Sequence, residues 1–215
     1  EALLLPHFVP TPVLAFAIRY LAADAGIMVT ASHNPATDNG YKVYLGDGTQ
    51  ITAPAEVEIS AEMALVGRVD QLARNSDYTV LSSDIVSAYI DAIAEPAGST
   101  TQTITVAYTP MHGVGAQTFL ASAERCGFGR IEMVPSQAEP DPNFPTLPFP
   151  NPEEPGALDE LVALAEDINA DIALAHDPDA DRLAVCVRDG QAMRLLTGDE
   201  MGSLLAKTLL QNGRT

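Results

Sequence analysis

Three aspartates follow an apolar run late in the chain, in the stretch "DIALAHDPDADRLAVCV". Asp177, Asp179 and Asp181 stand at alternate positions directly after residues with the composition of a buried strand. Three clustered anions need a cation to offset their repulsion, and carboxylate oxygens suit a hard divalent ion. The spacing therefore predicts a Mg2+ site at the end of a strand.

Two other interpretations of this loop have different consequences. A calcium loop of the D-x-D-x-D type needs Gly at its sixth position and Glu at its twelfth, but Arg182 and Arg188 stand there, which excludes an EF-hand. A solvated acidic turn is the remaining alternative. The place of the loop after a strand, where α/β sheets bind their ligands, favours the metal site.

A serine early in the chain is the second candidate for chemistry. In "MVTASHNPATDNGYKVYLGDG", residues 28 to 48, Ser32 follows a short apolar run, and Pro35 restricts the backbone beyond it. Ser32 and the adjacent His33 would seldom hydrogen-bond, and the chain has no G-x-S-x-G sequence, so a hydrolase nucleophile is not indicated. A metal-binding triad elsewhere favours phosphoryl transfer, with a Ser/Asn-rich turn as the alternative.

The first part of the chain alternates helical and extended patterns. Residues 11 to 26 predict a helix with Thr11 as its N-cap and Gly26 after its last turn. Apolar or alternating runs predict two short strands, the first of them buried, and helical spacing predicts two further helices, the second ended by Pro96. These elements are strands 27–31 and 41–45 and helices 53–66 and 82–96.

A β-rich part begins after the small-residue break "EPAGST" at 95 to 100. Its order of strand, helix, strand, helix, strand indicates a doubly wound, mostly parallel sheet that a hairpin completes. The predicted elements are strands 103–108, 131–134, 171–176, 183–187 and 192–195 and helices 115–125 and 156–167. The predicted fold class is thus α/β, with two consecutive mixed or mostly parallel α/β sandwich domains.

The proline distribution marks a further segment. Half of the chain's 16 prolines fall within residues 135 to 156. Such a density excludes a regular helix or strand. We interpret the segment as a long surface loop inside the β-rich part, because the elements on both sides complete one pattern; an interdomain linker is the alternative.

Composition and charge restrict the classes of partner. With 47% hydrophobic and 19% charged residues, the 215-residue chain has the balance of a globular protein. Its net charge of −18 opposes binding to nucleic acid or to an anionic membrane surface, so neither is expected as a partner. Arg19 and Asp24 interrupt the apolar runs before they reach the length of a membrane span.

Cysteine usage and the first residues bear on location. Cys126 and Cys186 lack C-x-x-C or metal-ligand spacing and are expected to be buried free thiols, which favours a cytoplasmic location. The chain lacks an initiator Met and the pattern of a secretory signal, so we expect it to begin within a longer protein.

Four short motifs resemble those of the α-D-phosphohexomutase family, which includes phosphoglucomutases and phosphomannomutases. They are "TASHNP" at 30–35, "DNGYKVY" at 38–44, "TPMHGVG" at 109–115 and "DPDADR" at 177–182. The resemblance implies α/β sandwich domains of the phosphohexomutase type: domain I over residues 1–98, domain II over 99–192 and the start of domain III over 193–215. It also implies that the rest of domain III and domain IV, which recognise the substrate, are missing parts of the same chain.

The resemblance also implies an activity, the interconversion of a sugar 1-phosphate and 6-phosphate through a bisphosphorylated intermediate, with glucose or mannose as the sugar. Ser32 resembles the serine that carries the phosphoryl group. Asp177, Asp179 and Asp181 resemble the aspartates that hold Mg2+ together with an oxygen of that phosphoserine. A phosphorylated sugar is thus the expected substrate and Mg2+ the expected cofactor.

Further residues receive roles from the same resemblance. Lys42 resembles the family's acid/base lysine, and Arg182 is expected to contact phosphate oxygens. His33 is expected to join a proton network or the phosphate, and His112 to contact the substrate phosphate. The alternatives are a solvated strand residue for Lys42 and a residue that stabilises its own turn for His112. His176 is interpreted as a core residue or a support of the triad, and not as a ligand.

Three other functions stay open on the residues alone. A phosphopentomutase of the same family would share these motifs. A Mg2+-dependent phosphatase would use Asp177 as nucleophile and leave Ser32 without a role, and a non-catalytic metal-binding module would need neither Ser32 nor Lys42. The "TGDE" sequence at 197–200 is interpreted as a helix cap and not as a second metal site.

Overall fold

A computed structural model describes residues 1–97, the first unit, and residues 102–211, the second unit. The predicted domain boundary between residues 98 and 99 lies outside the described residues and stays a prediction.

The first unit contains three helices and four short strands. They are β1 (Ala2–Leu4), α1 (Thr11–Tyr20), β2 (Ala25–Val29), β3 (Tyr41–Leu45), α2 (Ala55–Leu65), β4 (Tyr78–Val80) and α3 (Asp84–Ala97). β1 pairs in parallel with β4, and β2 pairs antiparallel with β3. The prediction of a buried first strand was wrong, because the residues of β2 alternate between exposed and half-buried and only one face of the strand is covered.

Helix α1 ends before the predicted stop at Gly26. Ala22 has a φ of 52°, and the N–H of Ala23 donates to the carbonyl oxygen of Ile18 at 2.9 Å, which is the geometry of a Schellman-type helix end. Gly26 instead lies in β2, where an added Cβ would stand 2.5 Å from Ile18 Cδ1. Its lack of a side chain therefore lets β2 pack closely against α1.

Helix α3 begins as predicted but does not end at Pro96. The carbonyl oxygen of Ser83 accepts hydrogen bonds from the N–H groups of Val86 and Ser87 at 3.0 and 3.1 Å, so the helix starts at Asp84. It continues through Pro96 to Ala97. Pro96 has no N–H to donate one turn back, but that missing bond does not end the helix at this residue.

The second unit contains one five-stranded sheet. Its elements are β5 (Gln102–Thr109), α4 (Gly115–Arg125), β6 (Phe128–Met133), α5 (Asp159–Asp167), β7 (Ile172–His176), β8 (Leu183–Asp189), β9 (Ala192–Leu195) and α6 (Gly198–Gln211). The strand order is β6-β5-β7-β8-β9, in which β5 runs parallel to both neighbours and the last two pairings are antiparallel. The doubly wound sheet is present as predicted, but two of its four pairings are antiparallel, so the sheet is mixed and two hairpins complete it where one was predicted.

The order of the strands also places the helices and the site. From β5 the chain continues through α4 to β6 on one side, and from β6 it returns through α5 to β7 on the other side of β5. Because crossovers between parallel strands are right-handed, two crossovers in opposite directions put the two helices on opposite faces of the sheet. Helix α5 buries Leu161 and Ala165 against Ala173 and Ala175 of β7, all of them 1% exposed or less. The carboxyl ends of β5 and β7 consequently meet at one edge of the sheet, where such folds bind ligands.

The proline-rich segment lies inside the second unit, because the strands on both sides of it belong to the same sheet. The interpretation as a surface loop was incomplete. Leu147 is 5% exposed and packs with Met111 and Ala157, while Pro150 is fully buried. The apolar side chains of the segment therefore cover the loop that follows β5.

Two local predictions are confirmed. The N–H of Thr197 donates to Glu200 Oε2 at 2.9 Å and the N–H of Glu200 donates to Thr197 Oγ1 at 3.2 Å, so "TGDE" forms a capping box at the start of α6. Cys186 is a buried free thiol as predicted, whereas Cys126 is free but half-buried, so the prediction that it is buried was wrong. Among the described helices, none has both the length and the apolar character that crossing a membrane requires.

Candidate functional site

The loop between β7 and β8 carries the three aspartates. The strand ends at His176, and a tight turn, in which the N–H of Ala180 donates to the carbonyl oxygen of Asp177 at 2.9 Å, reverses the chain. Asp177 is 0% exposed and Asp179 is 4% exposed, whereas Asp181 is exposed. One oxygen from each carboxylate lies within 4.8 Å of the other two.

The donor set of this loop fits a hard divalent cation. It offers carboxylate oxygens converging on one point, which is the chemistry that Mg2+ selects. Burial, and then the charge of Asp179, raises the pKa of Asp177, whereas hydrogen bonds from Lys42, Thr11 and Ser32 hold the pKa of Asp179 below its usual value despite burial. The cluster thus stores mutual repulsion that a bound cation would relieve.

Ser32 lies in the loop after β2 with a strained backbone. Its φ is 53°, a left-handed conformation that costs a residue with a Cβ about 1–2 kcal/mol. The N–H of Ser32 donates to Thr30 Oγ1 at 2.8 Å, and the N–H of Thr30 donates to the carbonyl oxygen of Gly40 at 3.0 Å. A Cβ on Gly40 would stand 2.6 Å from the carbonyl oxygen of Thr30, so the glycine of "DNGYKVY" allows the two ends of the loop to meet.

The fold brings this serine to the aspartates across more than half of the sequence. Ser32 Oγ lies 2.9 Å from Asp177 Oδ2 and 2.8 Å from Asp179 Oδ1. A hydroxyl has one proton and can donate to only one of these oxygens at a time. The serine oxygen is therefore held where a cation bound by the carboxylates would lie beside it.

Lys42 completes this cluster from β3. Its Nζ donates to Asp179 Oδ2 at 2.8 Å, to Ser32 Oγ at 3.3 Å and also to Asp181. The side chain of Lys42 is 17% exposed. Burial lowers the pKa of the amine, but the hydrogen bonds and charges of Asp179 and Asp181 outweigh that effect and raise it, so Lys42 is an ammonium ion in this arrangement.

Thr11 belongs to the site and was not predicted to do so. Its hydroxyl donates to Asp179 Oδ2 at 2.6 Å, and its N–H donates to the carbonyl oxygen of Asp179 at 2.9 Å. The prediction of Thr11 as N-cap was wrong, because Pro10 holds that position and the Thr11 hydroxyl makes no cap hydrogen bond. No local sequence pattern indicates the contact between Thr11 and Asp179, because the two residues are far apart in the sequence.

The loop after β5 supports the aspartate loop through backbone contacts. The N–H of Val114 donates to the carbonyl oxygen of Pro178 at 2.9 Å. A Cβ on Gly113 would stand 2.3 Å from both the Cα and the carbonyl oxygen of Pro178, and one on Gly115 would stand 3.0 Å from Ala180 Cβ. The glycines of "TPMHGVG" thus allow this loop to lie directly against the aspartate loop.

We expect Gly113→Ala to lower the free energy of unfolding by about 1–3 kcal/mol, because the added methyl group meets rigid backbone. Mg2+ affinity should fall with it, since the aspartate loop must move. Urea denaturation and magnesium calorimetry measure the two effects. Gly129→Ala is the matched control, because a Cβ there meets nothing within 4 Å; equal stability of the two variants would contradict the prediction.

His33 and Arg182 border the cluster. Burial, and then the positive charges of Arg182 and Lys42, lowers the pKa of His33, and its ring meets Phe149 edge-on with the ring centroids 6.0 Å apart. The N–H of Arg182 donates to Asp177 Oδ1 at 2.9 Å. The guanidinium of Arg182 is 40% exposed and lies 3.9 Å from Glu153, so it is positioned beside the cluster and accessible to an anion.

Two further histidines do not join the cluster through any contact among the described residues. His112 is 4% exposed, and its Nε2 lies 2.9 Å from Thr146 Oγ1, so it holds the proline-rich segment. Its expected contact with substrate phosphate stays a prediction. His176 lies 3.0 Å from the hydroxyl of Tyr108 through Nδ1, and burial lowers its pKa to about 4, as suits a neutral core residue.

Comparison with known proteins defines the class. The chain matches the family models for α/β/α domain I and domain II of phosphoglucomutase/phosphomannomutase over residues 1–67 and 87–190. The crystal structure of a phosphoglucomutase/phosphomannomutase family protein from Burkholderia thailandensis superposes with a TM-score of 0.74 at 24% identity, covering 95% of this chain and 43% of that one. The matched regions thus correspond to domains I and II of the phosphoglucomutase/phosphomannomutase family.

Sequence relatives agree with this class. The chain is 46% identical over 211 residues to the "Probable phosphomannomutase" of Haemophilus influenzae, covering 95% of this chain and 44% of the relative. It is 38% identical over 225 residues to the phosphoribomutase of Saccharomyces cerevisiae, covering 93% of this chain and 36% of the relative. The chain belongs to the phosphoglucomutase/phosphomannomutase family, and it spans less than half the length of these relatives.

Proposed function

We propose that this chain is the phosphoryl-transfer part of a Mg2+-dependent phosphohexomutase that interconverts the 1-phosphate and 6-phosphate of glucose, mannose or both. The observation that carries the proposal is the position of Ser32 Oγ, 2.9 Å from Asp177 Oδ2 and 2.8 Å from Asp179 Oδ1. A phosphoryl group on that oxygen would adjoin a cation held by the same carboxylates. The strained backbone of Ser32 supports a functional assignment.

Ser32 would carry the phosphoryl group between two sugar hydroxyls. In the first transfer the phosphorus–oxygen bond to Ser32 breaks, a bond from phosphorus to a sugar hydroxyl oxygen forms, and the hydroxyl proton passes to a base. The sugar is then bisphosphorylated, and its other phosphate returns to Ser32 after the intermediate has turned over. Because the total number of phosphoryl groups is unchanged, the reaction is an isomerisation.

Asp177, Asp179 and Asp181 would hold Mg2+, which when bound supplies positive charge to the oxygens of the phosphoryl group. Lys42, with Nζ 3.3 Å from Ser32 Oγ, is placed to deliver a proton to the serine oxygen when the phosphoryl group leaves it, and could accept a proton only after that loss. The exposed fork of Arg182 would bind phosphate oxygens. His33, which follows Ser32 in the sequence, would contact the phosphate or join the proton network.

The environment of Asp177 weighs against the phosphatase alternative. That mechanism needs one oxygen of Asp177 to attack phosphorus. Asp177 is 0% exposed, its Oδ1 accepts the N–H of Arg182 and its Oδ2 lies within hydrogen-bond distance of the Ser32 hydroxyl. A buried carboxylate with both oxygens engaged is a poor nucleophile, whereas Ser32 is half-buried.

A phosphopentomutase is the second candidate for the whole protein. The 38% identity to a yeast phosphoribomutase favours it, because that relative is nearly as similar as others of the family. The groups that would select a hexose or a pentose are expected in domains III and IV of the family. The chemistry at Ser32 is the same for either substrate.

The proposal predicts a phosphoprotein. After incubation with glucose 1,6-bisphosphate and MgCl2, the intact mass of the complete protein should rise by one phosphoryl group, about 80 Da, and fragmentation should place it on Ser32. Subsequent addition of glucose 1-phosphate should yield glucose 6-phosphate, with the phosphoryl group on Ser32 regenerated in each turnover. Ribose 1-phosphate, tested in parallel, distinguishes the pentose candidate. A phosphoryl group on Asp177, or on no residue under these conditions, would contradict the proposal.

A further inference from the structure

The ammonium group of Lys42 lies where several proposed metal ligands converge. Its Nζ contacts Asp179 Oδ2 at 2.8 Å, Ser32 Oγ at 3.3 Å and a carboxylate oxygen of Asp181. These are three of the four side chains proposed to surround Mg2+. The remaining one, Asp177, lies on the far side of the serine, with its Oδ2 2.9 Å from Ser32 Oγ.

The surroundings make this ammonium a close counter-ion and not a loosely solvated surface charge. The side chain of Lys42 is 17% exposed, and that of Asp179 is 6% exposed. Partial removal from water strengthens the attraction between the ammonium and the carboxylates. It also raises the free-energy cost of leaving the carboxylates without a cation. β3 fixes the position of the lysine, because Lys42 is paired with Met28 of β2, which leads into the Ser32 loop.

A divalent ion and the ammonium would compete for the carboxylates of Asp179 and Asp181. A magnesium ion approaches its oxygen ligands to about 2.0–2.1 Å and requires nearly octahedral directions around it. An ammonium that donates to the same Asp179 Oδ2, at 2.8 Å, would occupy one of those directions and stand within a few ångströms of a doubly charged ion. Repulsion between the two charges, and competition for the lone pairs of Asp179 Oδ2, would favour departure of the lysine.

We propose that Lys42 is the built-in counter-ion of the aspartate cluster and leaves Asp179 and Asp181 when a divalent cation binds there. Binding of the metal and release of this amine toward the substrate are then a single exchange. The inference rests on the proposed metal site. Lys42 then has two positions: against the carboxylates, where it holds the loops together, and away from them, where its amine can reach the sugar hydroxyl. The exchange would keep the amine occupied until the cation needed for transfer is present.

The exchange predicts a gain of metal affinity when the lysine is removed. Lys42→Met in the complete protein should bind Mg2+ about tenfold more tightly, or better, than the unsubstituted protein, the size of effect that one adjacent charge has on an ionisable group. Titration calorimetry with MgCl2 measures this without reference to turnover. Arg182→Met is the matched control, because it also removes a nearby positive charge. Within the described residues the Arg182 side chain makes no contact with the three aspartates, and only its backbone N–H donates to Asp177. Lys42→Arg retains the competing cation and should keep the affinity near that of the unsubstituted protein.

A second measurement follows the amine itself. Lys42 and Lys207 are the two lysines of this sequence, and Lys207 is exposed on α6. Brief acetylation followed by peptide mass spectrometry should show several-fold more modification of Lys42 with saturating Mg2+ than without it, and an unchanged level at Lys207.

The outcomes separate this inference from the function on which it rests. If the unsubstituted protein bound no Mg2+, the proposed metal site and this exchange would both fail. If it bound Mg2+ while Lys42→Met gained no more affinity than Arg182→Met and Lys42 became no more reactive, the exchange alone would be overturned and the phosphohexomutase proposal would stand.

Discussion

Ser32→Ala is expected to lower mutase turnover of the complete protein by on the order of 10⁴-fold or more, the range seen when a covalent nucleophile is removed. The substitution removes the only atom on which the phosphoryl group would be carried, together with its hydrogen bond to Asp177 or Asp179. It removes one hydroxyl oxygen from a half-buried residue and no apolar core volume. Folding and Mg2+ affinity should therefore be largely retained. A coupled assay for glucose 6-phosphate formation from glucose 1-phosphate measures the loss.

Ser203→Ala provides the matched control for this experiment, because Ser203 is exposed on α6 and belongs to no proposed site. Its turnover should equal that of the unsubstituted protein. Substantial turnover by Ser32→Ala would refute the phosphoserine mechanism. Retention of a phosphoryl group on Asp177 in that variant would instead support the phosphatase alternative.

Asp179→Asn is expected to weaken Mg2+ binding by roughly 100-fold or more. Mutation of a residue that only supports a metal ligand already lowers metal affinity by up to about 100-fold, and Asp179 is a proposed ligand itself. The carboxylate of Asp179 is nearly buried and receives hydrogen bonds from Thr11 and Lys42. Asparagine keeps the shape but loses the charge, and its amide nitrogen cannot accept a hydrogen bond or bind a cation. Turnover should fall in parallel and should not recover fully at high MgCl2 concentration.

Magnesium calorimetry, together with turnover measured across a MgCl2 titration, tests this expectation. Asp167→Asn, at the exposed end of α5, removes the same charge at a distance and should change neither quantity. If Asp179→Asn matched that control in both measurements, the three aspartates would not be the metal site.

Local sequence patterns predicted the elements of the second unit well, because each of them has a clear period and a clear end. The alternation of apolar residues and the turn residues placed β8 and α4 within two residues of their observed limits. The aspartate loop was predictable for a related reason, since a strand that ends in three alternating carboxylates has few structural explanations. Its proximity to Ser32 came from the family resemblance and not from the residues themselves.

The errors occurred where a distant contact determines the role of a residue. Thr11 has the type of an N-cap, but its hydroxyl donates to Asp179, a partner 168 residues away. Gly26 has the type of a helix stop, but its small size serves the packing of β2 on α1. Such roles depend on tertiary contacts, which no local pattern records.

The contact between Thr11 and Asp179 has a consequence for motion during the proposed reaction. Two hydrogen bonds at the first turn of α1, one from the N–H and one from the hydroxyl, tie the start of this helix to the aspartate loop. Hydrogen bonds that involve a charged group are among the stronger ones, at about 1.5–3 kcal/mol. The serine and the aspartates should accordingly move as one rigid body. A bisphosphorylated sugar needs space to turn over, and that space would then have to open on the side of the site opposite the serine and the aspartates. Hinge motion would accordingly be found at junctions after the second unit and not between the first and the second unit.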